Sequence, residues 1–336
     1  MYNGMSTIKY NKELAKRFVD DYRLPVSLIN DKYFFHQLEL YERDFNTLTK
    51  WKHVWNMIDD KYNGNCNLFL EDYYNVRENI IQTVLNSEAY KAFNEMDMKR
   101  FEVKDKPNVS SNNIYNCDNI GKFYLSIDLK KANFQALRYV NPEIILNTDT
   151  YEEFIGKFTD LDYVKESKYS RQVIFGKMNP KRHITVEKYL INEVWKVHLQ
   201  SSFGMENIVS MSNDEIVVEV EYDEKTDYDS IAYDIEKNIL RKTGLKVRAE
   251  FFHLKGYRLS VNDGKEHKPR NPFFVKEDAC SFRKTFVCVP LPYHAIVYKL
   301  YNDIPLEDED YHFVYEGIDC VFNEDFIMEE IDNEWK

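Results

Sequence analysis

Over its first hundred residues the chain places apolar side chains at helical intervals. "NKELAKRFVDDYRL", "FFHQLELYERDFNTLTKWKHVWNMIDDKY" and "DYYNVRENIIQTVLNSEAYKAFNEM" repeat them every three or four positions, which predicts a mostly helical region over residues 10–105. Pro25 and Asn30-Asp31 break the first helix from the second. The polar run "KDKPNVSSNNIYNCDN" at 104–119 is the clearest boundary in the chain. After it the period changes. "KFYLSIDL" at 122–129 is short, aromatic and apolar, as a buried strand is. "TYEEFIGKFTDL" predicts a Thr-capped helix, and "ITVEKYLINEVWKVHLQSSFG" a long one ending at Gly204. "NIVSM" and "EIVVEVEY" read as two strands joined through "SND", a hairpin. An Asp-capped, Gly-terminated helix, "DYDSIAYDIEKNILRKTG", and further strands in "LKVRAEFFHLKGYRLSV" follow. Beyond residue 270, "RKTFVCVPL" reads as a strand, "PYHAIVYKLY" as a helix and "YHFVYEGIDCVF" as a hairpin turning at Glu316-Gly317. This order predicts an α+β fold, a sheet with helices on one face, preceded by a helical N-terminal region.

Composition narrows the function classes. Hydrophobic residues make up 43% of the 336 and aromatic ones 15%, ample for a core, so most of the Tyr and Phe rings are expected inside. No stretch approaches the 18 or so apolar residues of a membrane span. The N-terminus "MYNGMSTIKYNKELAKRF" carries no signal-peptide apolar core, so a soluble, cytoplasmic protein is expected. Cys66, Cys117, Cys280, Cys288 and Cys320 are scattered without CxxC spacing and read as reduced thiols. A net charge of −12 argues against a general nucleic-acid coat. Charge is unevenly spread, however. Residues Lys168 to Gln200 hold seven basic and two acidic residues, whereas the chain from Asp303 onward is almost wholly acidic. The basic segment suits a local phosphate site.

Chemistry concentrates in three carboxylates. Asp128 ends the strand "FYLSID", and Asp214-Glu215 stand at the tip of the later hairpin. Each has a plain reading alone, a strand-end cap and a solvated turn. Set on adjacent strands they would raise one another's pKa, and bound Mg²⁺ or Mn²⁺ would supply the compensating charge through oxygen ligands.

"SIDLKKANFQAL" resembles motif A of the palm-domain nucleic-acid polymerases, above all the reverse transcriptases. "RQVIFGKMNPKRHITVEKYLINEVW" is similar to their motif B. "SNDEIVVEV", 86 residues beyond Asp128, stands where motif C belongs and looks most like the family A DNA polymerase form. "IEKNILRKTGLKVRAEFFHLKGYRLS" resembles motifs D and E. The resemblance covers about residues 120–262 and implies a polymerase-like palm with an antiparallel sheet. It divides the chain into a helical region (1–115), a palm with short fingers (116–262) and a thumb-like or accessory region (263–336).

It also implies roles. Asp128, Asp214 and Glu215 would be the catalytic metal ligands, and Arg171, Lys181 and Arg182 would grip the triphosphate. Asn133, five positions after Asp128, falls where such enzymes screen the sugar 2′ position, and it is neither the bulky aromatic nor the Glu usual in deoxynucleotide users. The expected partners are a nucleic-acid primer or template and nucleoside triphosphates, with no membrane. Two alternatives stay open, a polymerase-derived binding protein without catalysis and an untemplated nucleotidyltransferase. The Lys, Asn and Tyr bias suggests an AT-rich genome and a phage or mobile-element origin.

Overall fold

The computed structural model describes residues 9–333 apart from 28–29, 105–108, 110–113, 201–206, 263–266, 270 and 282. The expected helix end at Gly204 lies outside the described residues. The chain opens with α1 (Lys12–Tyr22), α2 (Asp31–Leu40), α3 (Glu42–Phe45), α4 (Thr47–Tyr62), α5 (Cys66–Asn86) and α6 (Glu88–Glu95). The second and third periodic runs are thus each interrupted. Asn46 takes a left-handed backbone (φ 51°) between α3 and α4, and Ser87 caps α6 by accepting from the Tyr90 N–H. Asn and Ser favour such breaks because their side chains bond local backbone.

Then come β1 (Phe123–Leu129), α7 (Ala132–Val140), α8 (Tyr151–Gly156), α9 (Asp162–Glu166), α10 (Lys168–Gly176) and α11 (Pro180–Val194). The hairpin is β2 (Ile208–Met211) and β3 (Glu215–Glu219), followed by α12 (Tyr228–Thr243), which ends at left-handed Gly244. β4 (Val247–Asn262) is a single strand of 16 residues. β5 (His267–Pro269), β6 (Phe273–Asp278), β7 (Lys284–Val287), α13 (His294–Tyr301), β8 (His312–Tyr315), β9 (Ile318–Val321) and β10 (Asp325–Ile331) complete the chain.

The fold is α+β. Its main sheet runs β2-β3-β1-β4-β6-β7, with β5 and β10 also on β4, and its pairings are antiparallel. Within it, β1, the helices after it, β2, β3, α12 and β4 follow the β-α-β-β-α-β plan of split βαβ folds, in the order β2-β3-β1-β4. Alternation along β1 decides its two faces. Phe123, Leu125 and Ile127 join the large core with Leu137, Val186, Leu190 and Ile239 of the helices. Tyr124 turns to the opposite face with Val217 and Phe252, and the same alternation puts Ser126 and Asp128 there. The N-terminal helices share the large core, where Phe18 and Phe34 pack on Trp51 with ring centroids 5.1 and 4.9 Å apart. The sheet continues past Asn262 into β6 and β7. Residues after 290 rest on α2 and α3: Tyr298 Oη donates to Asp44 at 2.6 Å, and Tyr41 Oη meets His294 Nδ1 at 2.9 Å. Among the described residues no helix is long and apolar enough to cross a membrane.

β4 depends on Gly256, which pairs with Phe274 on one edge and Ile331 on the other. A Cβ there would overlap the Ile120 side chain and press on Ile331 Cγ1 at 3.0 Å. Gly256→Ala is expected to cost about 1–3 kcal/mol, as overpacking of a filled core does, and denaturant unfolding measures it. A wild-type midpoint would show that Ile120 swings clear without loss.

Candidate active site

Register brings the hairpin to Asp128. In the sheet Asp128 stands opposite Glu215 on β3 and opposite Arg248 on β4. The Leu129 N–H donates to the Asp214 carbonyl at 2.8 Å, so the tip is tied to the end of β1. Ser212 closes the turn: its Oγ accepts from the N–H of Glu215 at 3.1 Å, and its own N–H donates to the Glu215 carbonyl at 2.9 Å. Asp214 and Glu215 are half-buried, so the tip is a pinned turn. Ser126 Oγ donates to Glu215 Oε1 at 2.6 Å.

Burial pushes the Asp128 carboxyl up to about 6, and Asp214 and Glu215 add to the rise, while Arg248 and Lys168 oppose it. A fourth carboxyl lies close. Glu187 on α11, 4% exposed, is pushed up to about 7 by burial and then by Asp214, against a bond from Asn133 Nδ2 at 2.9 Å. Carboxyls that hold protons near neutrality lack a counter-charge, and a hard divalent cation on oxygen ligands supplies one. Carboxylate oxygens are the ligand type that Mg²⁺ takes. The oxygens of Asp128, Asp214 and Glu215 do not all lie within 4.8 Å of one another; among the described residues that closeness is met by His36, Glu307 and Asp310. There Lys299 Nζ already bonds Glu307 at 2.8 Å and Asp310 at 2.6 Å, so the charge is balanced by the protein itself.

Beside Asp128 opens a cleft of about 380 Å³. Seven of its fifteen lining residues are Lys or Arg and three are Asp or Glu, inside a chain of net charge −12. The cations come from separate elements. Lys130 and Lys131 follow β1, Arg138 lies on α7, Lys168 and Arg171 on the first turn of α10, and Lys246 and Arg248 at the start of β4. Gln135 fixes two of these segments together: its Nε2 donates to the carbonyls of Lys130 and Lys246 at 2.6 and 2.7 Å, and its Oε1 accepts from the Lys246 N–H at 2.7 Å. The cations crowd each other. Lys131 is pushed down to about 8 by burial, Arg171 and Lys246, although Glu152 accepts a bond from it. Burial also lowers Lys168 and Arg171, and Arg171 adds to the drop at Lys168. Lys131 is held at φ 54°, a left-handed backbone that costs a lysine about 1 kcal/mol. Lys130, Lys131, Arg138 and Arg248 have carboxylate partners in Glu236, Glu152, Asp149 and Glu250, which leaves Lys168, Arg171 and Lys246 without an ion pair among the described residues.

The residues expected from sequence separate here. Asp128 and Arg171 line the cleft. Asn133 and Lys181 are not among its lining residues; Asn133 turns to Glu187, and Lys181 is exposed on α11. Arg182 also points elsewhere, to the Met96 carbonyl and over the Phe93 ring at 5.3 Å. Lys130, Lys131, Lys246, Arg248 and Glu187 were missed, though "DLKK" and "GLKVR" held four of them in plain view. No family model, no curated protein and no solved structure matches this chain.

Glu187 gives a pH test. Its folded-state pKa lies above the ordinary 4.5, so the folded protein keeps a proton that the unfolded chain releases. In metal-free buffer stability accordingly falls as pH rises from about 4.5 to about 7, by up to about 3 kcal/mol. Glu187→Gln keeps an acceptor for Asn133 without the charge. Denaturant titrations are expected to show the variant more stable at pH 8 and close to wild type at pH 4.5. An unchanged pH dependence would place the titration elsewhere.

Proposed function

We propose that this chain is a metal-dependent nucleotidyltransferase of the palm polymerase type, joining a nucleoside triphosphate to a nucleic-acid 3′-hydroxyl. One observation carries the proposal. A carboxylate cluster on adjacent strands and a strongly cationic cleft meet at one residue, Asp128. The cleft's size suits a small ligand, and its charge suits a triphosphate. The β2-β3-β1-β4 order, with the acidic turn beside the acidic strand end, supports a palm.

In the proposed reaction the 3′-oxygen bonds to the α-phosphorus, the bond to the β-phosphate breaks, and pyrophosphate leaves. Asp128 and Asp214 would hold Mg²⁺, with Glu215 restrained by Ser126 as their acidic neighbour. Bound Mg²⁺ would neutralise charge on the reacting oxygens and acidify a coordinated hydroxyl. Lys168 and Arg171 hold the β- and γ-phosphates against that reaction centre. Lys131, with its lowered pKa, is the cation readiest to give a proton to departing pyrophosphate.

Extension of a labelled primer tests the proposal, with Mg²⁺ or Mn²⁺, on DNA, on RNA and without template, offering dNTPs or NTPs. Metal-dependent extension on a template supports a polymerase, and extension without one an untemplated transferase. A second reading, binding without transfer, is favoured by Arg248 standing opposite Asp128, where a guanidinium competes with a metal. Nucleotide binding with no extension on any template would select it.

A further inference from the structure

We infer that Asp21, on the N-terminal helix α1, is a positioning residue that sets the phosphate-gripping turn of α10; this rests on the cleft being a triphosphate site. Asp21 is fully buried and accepts four hydrogen bonds. Tyr73 Oη of α5 donates at 2.8 Å, Tyr163 Oη of α9 at 2.7 Å, Ser167 Oγ at 2.6 Å and Arg17 Nε at 3.2 Å. A buried carboxylate costs too much to stand for packing alone unless every lone pair is used, and here the donors come from four segments.

Ser167 is the decisive partner because it is the N-cap of α10. Its oxygen accepts from the Ser170 N–H at 2.8 Å while its one proton goes to Asp21. The cap therefore has one orientation, and the residues one and four places on are Lys168 and Arg171. α1 holds the same helix twice more. Arg17 lies 4.0 Å over the Tyr169 ring, and Arg23 donates to Gln172. Arg171 in turn lies over the Tyr151 ring at 5.8 Å, a ring it shares with Lys131 at 5.4 Å. The N-terminal region thus packs against α10, whose first turn lines the cationic cleft. Site cations must be held within about half an ångström to grip in common, which an exposed helix end alone does not achieve.

Calorimetric binding of inorganic tripolyphosphate to the full chain, with melting temperature recorded for each variant, tests this. Asp21→Ala and Ser167→Ala are expected to weaken binding about five- to tenfold. Asp21→Asn keeps an oxygen for the Ser167 hydroxyl and is expected to stay within about twofold of wild type despite a lower melting temperature. Tyr163→Phe removes a bond to Asp21 that does not reach α10, so it lowers the melting temperature and leaves affinity alone. Wild-type affinity in Ser167→Ala overturns the inference. So does a loss of affinity that simply follows melting temperature across all four variants. Wild-type protein that binds no tripolyphosphate removes the reading of the cleft itself.

Discussion

Asp214→Asn is expected to lower Mg²⁺-dependent nucleotide incorporation by about 10³-fold or more while raising thermal stability in metal-free buffer. The two halves have one cause. Asp214 contributes to the raised pKa of both Asp128 and Glu187, so in the metal-free protein it is a source of repulsion. Asn is isosteric and keeps the backbone carbonyl that accepts from Leu129. Neutralising the side chain relieves that repulsion but removes an anionic oxygen ligand, and charge placed where the transition state develops it is worth several kcal/mol. A substitution that merely damages the fold moves activity and stability down together. Opposite movement is the signature of a metal ligand. Full activity in Asp214→Asn would return the turn to the solvated hairpin tip that it resembles when read alone.

How far the sequence reached depended on whether a property was local. β1 and the β2–β3 hairpin were legible because their alternation and turn residues lie within a dozen positions, whereas the register that sets Asp128 opposite Glu215 is fixed by the pairing of β1 with β3, which no local pattern encodes. α12 was legible from its Asp cap and Gly stop. The basic run 168–182 misled because it spans two helices. Asn179, at φ 53°, turns the chain between α10 and α11, so Lys168 and Arg171 line the cleft while Arg182 goes to Met96. The cleft itself gathers cations from β1, α7, α10 and β4, up to 118 residues apart between Lys130 and Arg248, and no spacing rule announces that. Asn133 has the right offset from Asp128, but the first turn of α7 aims it at α11. The Asp21 hub leaves no motif at all, since Arg17, Tyr73, Tyr163 and Ser167 meet only through packing.

The same contrast separates Arg171 from Lys181. Arg171→Ala is expected to weaken triphosphate binding by about 30- to 100-fold and Lys181→Ala by less than about twofold, although both stand in one basic run. Arg171 is largely shielded from water, lies over Tyr151 and faces Lys168 and Lys131 without an ion pair of its own among the described residues. A guanidinium in that position is poorly solvated, so a phosphate gains more from it than from a cation in open water. Lys181 is exposed and already well solvated. Arg171→Lys separates charge from geometry: a single ammonium restores attraction without the two-pronged bond, and recovery of about a third of the lost binding energy is expected. Titration with a non-hydrolysable nucleotide reads all three variants without relying on catalysis. Equal affinities for Arg171→Ala and wild type would mean that the cations of the cleft face one another for some other anion. Equal losses at Arg171 and Lys181 would mean that binding follows net charge and not the cleft.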